Sequence, residues 1–219
     1  MNKFKFLIFF KKKLTHLERK MNTEIVQPFS QYSLAEQNIN NSKHNIIWFD
    51  GEMTGLDVNK HTLIEAAIIV TDGNLKILAE SSNIIIHQPD EILENMEEWP
   101  LKQHTLSGLI ENVKKSNISI EQADQMLYDF IKPFAPKGMC PLAGNSIYMD
   151  RTFIKKYMPK LESQLSYRLI DVSTLKELFK RWKPEIINKA PKKLGSHRAL
   201  DDIKDSLLEL QFYKNHFML

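Results

Sequence analysis

An apolar run that ends on two carboxylates constrains this chain more than any other feature. Residues 45–57 read NIIWFDGEMTGLD, so Asp50 and Glu52 close the run with a single glycine, Gly51, between them. The stretch 45–50 suits a buried β-strand, and alternation along a strand sends residues i and i+2 to one face. Asp50 and Glu52 would then be close neighbours, each raising the other's pKa. Two such charges need an offset, and a bound divalent cation supplies one. The alternative is a polar strand end running into a turn, so the rest of the sequence must decide.

Beyond this run, TLIEAAIIVTD (62–72) and LKILAESSNIIIHQ (75–88) flank Asp72-Gly73-Asn74. Asp-Gly between two Ile/Val-rich runs is a hairpin signal, so three antiparallel strands come first. Short helices are expected over 89–96 and 107–116. A clearer one spans 119–134, where Ile120, Ala123, Leu127 and Ile131 recur at helical spacing behind a Ser119 cap. CPLAG (140–144) and YRLID (167–171) read as strands, and 150–158 and 173–182 as helices. The last helix runs from about 197 to 217, with Ala199, Ile203, Leu207, Leu210 and Tyr213 on one face. Three strands followed by alternating helix and strand make an α/β domain with a mixed sheet. With 219 residues, 42% of them hydrophobic, the chain can bury one full core. That single domain is expected over 44–219.

Residues 1–43 differ in character. They hold eight Lys/Arg and three Glu, so the net charge of +3 divides into +5 for this segment and −2 for the rest. The folded part therefore lacks the broad positive field that collects long nucleic acids, and a nucleic-acid substrate should be short or gripped locally. MNKFKFLIFFKKKLTHLERK is basic with one acid, Glu18, which fits a mitochondrial presequence or a solvated tail. Met21 offers an alternative start that would leave a cytoplasmic form, and 22–43 read as linker. The apolar stretch at residues 6–10 is too short to span a membrane. The single Cys140 excludes an internal disulfide and a zinc site built on several thiolates, and it fits an intracellular, reducing compartment.

A two-metal site for phosphoryl transfer needs about four carboxylate donors. Asp50 and Glu52 supply two. Asp150, at a helix start after PLAGNSIYMD, is a third candidate, although read alone it is first an ordinary N-terminal helix acid. In SHRALDDIKDS, Asp202 stands five residues after His197, so Asp202 could take a metal while His197 reaches a water. A neutral imidazole, with a free pKa of about 6.5, suits that proton transfer. Read alone, His197 is more often a surface or capping residue.

Together these motifs reach a resemblance. Asp-x-Glu followed by Met-Thr-Gly-Leu, then GNSxxxD, YRxxDVSTLKEL and HRALDDI, resemble the oligoribonucleases, of the DEDDh class of 3′→5′ exonucleases, over about residues 45–217. APKKLGSHRALDDIKDSLLELQFYKN is similar to the eukaryotic branch. The resemblance implies an RNase H-like fold with a mixed central sheet flanked by helices. It implies that Asp50, Glu52, Asp150 and Asp202 hold two Mg²⁺ or Mn²⁺ ions and that His197 is the general base. Leu56 and Trp99 would wedge against or stack on bases, with His104 near them. Ser146, Arg168, Ser173 and Thr174 would cap a 5′ phosphate, with Tyr167 closing that end. Tyr167 and Arg168 would come from the partner of a homodimer. Short RNA oligonucleotides, dinucleotides above all, would then be cut to nucleoside 5′-monophosphates. Stacking contributes about 1–3 kcal/mol per base, and arginine binds phosphate bidentately. Without the resemblance, Trp99 and Tyr167 read as core aromatics and Ser173-Thr174 as a helix cap. Three rival readings remain: an exonuclease of this class that trims longer RNA or DNA, a non-catalytic RNA-binding dimer, and a structural α/β protein whose acids are incidental, which the four ordered motifs argue against.

Gly51 departs from the family pattern, which has a bulky apolar residue there. Alternation points this position away from the carboxylates, into packing behind the strand. A missing Leu side chain would cost roughly 2–5 kcal/mol if nothing filled the space, so neighbouring side chains are expected to close over Gly51.

Overall fold

The computed structural model describes residues 39–193, 195 and 197–217. The basic segment 1–20 and the linker up to residue 38 lie outside the described residues. Residues 39–43, read as the end of the linker, instead form a 3₁₀ helix with His44. The Ser42 carbonyl there accepts hydrogen bonds from the Asn45 amide (3.1 Å) and the Cys140 thiol (3.3 Å).

The elements that follow are β1 (Ile46–Met53), β2 (Leu63–Thr71), β3 (Ile77–Glu80), β4 (Ile84–Ile85), α1 (Asp90–Glu94), α2 (Glu98–Leu106), α3 (Leu109–Lys115) and α4 (Ile120–Ile131). Then come β5 (Leu142–Gly144), α5 (Ile147–Tyr157), α6 (Pro159–Gln164), β6 (Leu169–Asp171), α7 (Val172–Trp182), α8 (Pro184–Ile187) and α9 (Ala199–Phe217). The strands form one sheet in the order β3-β2-β1-β5-β6, with β4 also on β2. β1 and β2 are antiparallel, whereas β1–β5 and β5–β6 are parallel. The α/β domain with a mixed sheet is thus as expected.

Period-two alternation divides the core. Ile47, Phe49 and Met53 of β1 face α4, α5 and α6 through Leu127, Ile131, Phe153, Ile154 and Leu161. Ile46 and Trp48 face α7 and α9 through Phe179, Ile203, Leu207 and Tyr213. The buried Trp48 indole donates to the Thr71 hydroxyl at 3.1 Å, so its polar atom is satisfied. Every residue of β2 is buried, as a strand covered on both faces requires.

Local signals account for several ends. Ser119 and Gln122 form a reciprocal capping box at the start of α4. In the β2–β3 connection the Asp72 carboxylate accepts the Asn74 and Lys76 amides at 2.8 and 2.9 Å. The left-handed residue is Leu75 (φ 72°), because its side chain is drawn into the core and the backbone follows. Helices α6 and α8 open on a proline, Pro159 and Pro184, which suits a first helical position, whereas α2 has no side-chain cap. α6 is capped from elsewhere, by the Asp124 carboxylate of α4 accepting the Lys160 and Leu161 amides at 3.0 and 2.8 Å. α5 begins at Ile147, ahead of the expected start at 150, behind a left-handed Ser146 (φ 50°).

Gly51 is closed over, as expected. A Cβ built there would stand 2.7 Å from Leu63 Cδ2, 3.1 Å from Phe49 Cε1 and 3.4 Å from Met53 Cε. The space a larger residue would use already holds the Leu63 side chain. From the sequence alone Gly51→Leu would be expected to restore lost stability; with Leu63 in that space, it is instead expected to give no gain in melting temperature, since Leu63 must move first. Combined with Leu63→Ala, the two changes should depart from additivity by about 0.5–3 kcal/mol in urea unfolding. Additive effects would mean that Leu63 does not fill the gap.

Candidate active site

The site gathers at the end of β1. Asp50 and Glu52 leave the strand on the Trp48 face, and Glu52 pairs across the ladder with Glu65 of β2. Asp150 arrives from the other side, in the first turn of α5, where its Oδ1 accepts the Gly51 amide at 3.1 Å. The glycine beside the carboxylates thus uses its amide to fix a third. Asp202 lies in the first turn of α9. One ligand atom each from Glu52, His197 and Asp202 lie within 4.8 Å of one another.

His197 precedes α9 in a left-handed conformation (φ 50°), which costs about 1–3 kcal/mol unless its surroundings enforce it. The Trp99 ring meets the imidazole edge-on, with centroids 5.4 Å apart. On the other side, the fully buried Glu65 accepts the Ala199 amide at 2.9 Å and the Arg198 guanidinium at 3.0–3.2 Å. Sequence reasoning missed Glu65, although one acid inside LIEAAIIV was a visible signal.

Burial is the main cause of the site's electrostatics. It lifts the Asp50 carboxyl well above the usual range, and the negative charges of Asp150, Glu52 and Asp202 add to the effect. Glu52 is pushed up to about 8 by burial, then by Asp202, Glu65 and Asp150. Asp150 is also pushed up to about 8 by burial, against the hydrogen bond from Gly51. Asp202 is raised by burial, opposed by His197 and Lys193. Oxygen donors that repel one another in this way, beside one imidazole, have the chemistry of a hard divalent-cation site.

The other expected site residues fall into three places. Leu56 and Trp99 are 60% and 62% exposed, beside the carboxylates in the sense that their segments are joined. The Glu97 amide donates to the Thr54 carbonyl at 3.0 Å, and His61 lies between the Thr54 hydroxyl and the Glu97 carboxylate at 3.2 Å from each. A Cβ at Gly55 would stand 2.6 Å from the His61 ring, so the turn accepts only glycine. His104, expected near the base-stacking residues, is 1% exposed beneath Glu52. Its Nε2 lies 3.2 Å from the Met53 carbonyl and 3.7 Å from the Glu52 carboxylate, and burial lowers its pKa. In this conformation it offers no open face to a base.

Ser146 and Ser173 come together at the N-termini of α5 and α7. Asp171 accepts both of their amides, at 3.0 and 2.9 Å, and their hydroxyls lie 3.2 Å apart. Ser173 donates to the Asn145 carbonyl oxygen at 3.1 Å, and the Asn145 amide donates to Ser206 and Glu209 of α9 at 2.9 and 3.1 Å. Thr174 is exposed on α7. Tyr167 is 78% exposed with the Arg168 guanidinium 4.7 Å from its ring centroid. Tyr167 lines a separate cavity of about 320 Å³ with Tyr148, Arg151, Lys155 and Leu169.

Three comparisons bear on this arrangement. Residues 47–210 match the family RNase_T, described as exonuclease. The chain is 52% identical over 171 residues to the human protein named mitochondrial oligoribonuclease, covering 78% of this chain and 72% of that one. It is 49% identical over 177 residues to oligoribonuclease of Escherichia coli K12, covering 81% and 97%. E. coli exonuclease I in complex with a 5cy-dT13 oligonucleotide shares the fold over 78% of this chain, with a TM-score of 0.61 at 13% identity. The matched part is 40% of that longer protein.

The raised carboxylates set a pH dependence. A carboxylate whose folded pKa lies above its unfolded value stabilises the fold at low pH and loses that contribution as pH rises through the folded pKa. For Glu52 and Asp150 the window runs from the ordinary carboxylate values of 4.5 and 3.8 to about 8. In EDTA the melting temperature should fall between pH 5.5 and pH 8.5, and Asp50→Asn should flatten the fall. A divalent cation should raise the melting temperature more at pH 8.5 than at pH 5.5. A cation effect independent of pH would mean these carboxylates do not receive it.

Proposed function

This chain belongs to the RNase_T exonucleases, among the oligoribonucleases, and from that premise we propose that it hydrolyses short RNAs from the 3′ end to nucleoside 5′-monophosphates. The observation that carries this reading is the meeting of half-buried carboxylates and His197 at the end of β1, with the exposed Trp99 ring against the imidazole. Asp50, Glu52, Asp150 and Asp202 would hold two divalent cations, Mg²⁺ or Mn²⁺. When bound, the cations polarise the scissile phosphate and stabilise the charge on the departing 3′ oxygen.

The chain's own groups do the rest. His197 accepts the proton of the attacking water, whose oxygen bonds to phosphorus as the bond from phosphorus to the 3′ oxygen breaks. Trp99 stacks on a base and, through its contact with the imidazole, limits the ring's rotation. Leu56 wedges the neighbouring base. At the other end the hydroxyls of Ser146, Ser173 and Thr174 receive a 5′ phosphate, with Asp171 holding the Ser146 and Ser173 amides so that the two hydroxyls stay together. Arg168 and Tyr167 are contributed by the second subunit of a homodimer, which suits their outward exposure in one protomer. A site closed at both ends favours dinucleotides, and no broad positive field is then needed. Segment 1–20 directs one form to mitochondria, and a start at Met21 gives a cytoplasmic form. Among the described residues, no helix is long and apolar enough to cross a membrane.

The test is hydrolysis of 5′-labelled RNAs of two, five and twenty nucleotides with Mg²⁺, with EDTA and with His197→Ala. The dinucleotide should disappear fastest, EDTA should stop the reaction, and His197→Ala should slow it by about 10²–10⁴-fold. Faster loss of the 20-mer would favour an end-trimming enzyme, and no cleavage by the folded protein a binding role.

Subunit mixing tests the shared site. Arg168→Ala and His197→Ala proteins, each inactive alone, should recover about a quarter of the parent rate when mixed and re-equilibrated, because one site per mixed dimer is complete. No recovery would place Arg168 in its own subunit's site.

A further inference from the structure

We propose that Glu65 is a positioning residue for the reaction, holding the backbone around His197 in the conformation that brings the imidazole to the carboxylates. The inference rests on the reading of His197 as the base. Glu65 is fully buried in the middle of β2, a strand with no other charged residue. Both of its oxygens are used. Oε1 accepts the Ala199 amide at 2.9 Å and Arg198 Nε at 3.2 Å, and Oε2 accepts Arg198 Nε at 3.1 Å and Nη2 at 3.0 Å. With both oxygens engaged, Glu65 is not a spare metal ligand.

A buried ion pair is a poor device for stability, since apolar residues of similar size commonly serve as well. Its location indicates what it does serve. Arg198 and Ala199 immediately follow His197, whose backbone is left-handed and relaxes unless held. α9 has other anchors, because Ala199, Ile203, Leu207 and Tyr213 are packed in the core. Asp202 therefore keeps its place through the helix, whereas His197 lies beyond the helix end and depends on the two residues that Glu65 grips. Glu65 is also the ladder partner of Glu52, so one pair of strands sets the positions of both an acid and the imidazole.

The experiment uses dinucleotide hydrolysis by the full chain with Mg²⁺. Glu65→Gln should lower kcat by about 10²-fold, the scale of a small misplacement of a catalytic group, with KM unchanged. Arg198→Lys keeps the charge without the two-pronged contact and should lose less. The deciding comparison is in a His197→Ala background, where Glu65→Gln should cause no further loss. A lower melting temperature with kcat intact, or a full further loss in that background, would overturn the proposal. If Glu65→Gln does not fold, Arg198→Lys in the same two backgrounds decides in the same way. A His197→Ala protein as fast as the parent would instead remove the base assignment, and this inference with it.

Discussion

Carboxylates crowded together at a half-buried strand end repel one another, and much of the structure around β1 keeps them there. Asp50 and Glu52 are fixed by strand alternation, Asp150 by an amide across the strand end, and Asp202 by a helix docked on the opposite face. No one element supplies the set. It requires a sheet in which β1 has an antiparallel neighbour on one side and a parallel one on the other, so that helices from later in the chain reach the same strand end. Trp48 shows the same economy: its ring builds the core under α9, and its position sends Asp50 and Glu52 to the working face.

What could be read from the sequence was what depends on nearby residues. The apolar runs, the Asp-Gly turn and the Ser119 cap gave the strands, the first hairpin and α4, because spacing and turn chemistry are local. α6 was missed although Pro159 opens it, because its cap is Asp124, far back in the chain. The Asp-Gly signal marked the β2–β3 turn but not its left-handed residue, Leu75, whose burial is a tertiary fact.

The candidate site divides along the same line. Asp50, Glu52, Asp150, His197 and Asp202 stood in short motifs of fixed spacing, and the structure brings them to one strand end. The residues that support them were not legible. His61, Glu65 and Asp171 matter through partners distant in sequence, and nothing beside them announces those partners. His104 was associated with the exposed aromatic edge but is buried under Glu52, since its helix starts with no pattern that tells inside from outside.

Gly51 has a consequence for the history of such a chain. Leu63 now occupies the room beside it, so restoring bulk at position 51 leads first through an overpacked state. A bulky residue at position 51 is thus held out by its neighbour unless Leu63 changes first. The glycine is then entrenched by contingency, and its persistence would say nothing about selection for glycine itself.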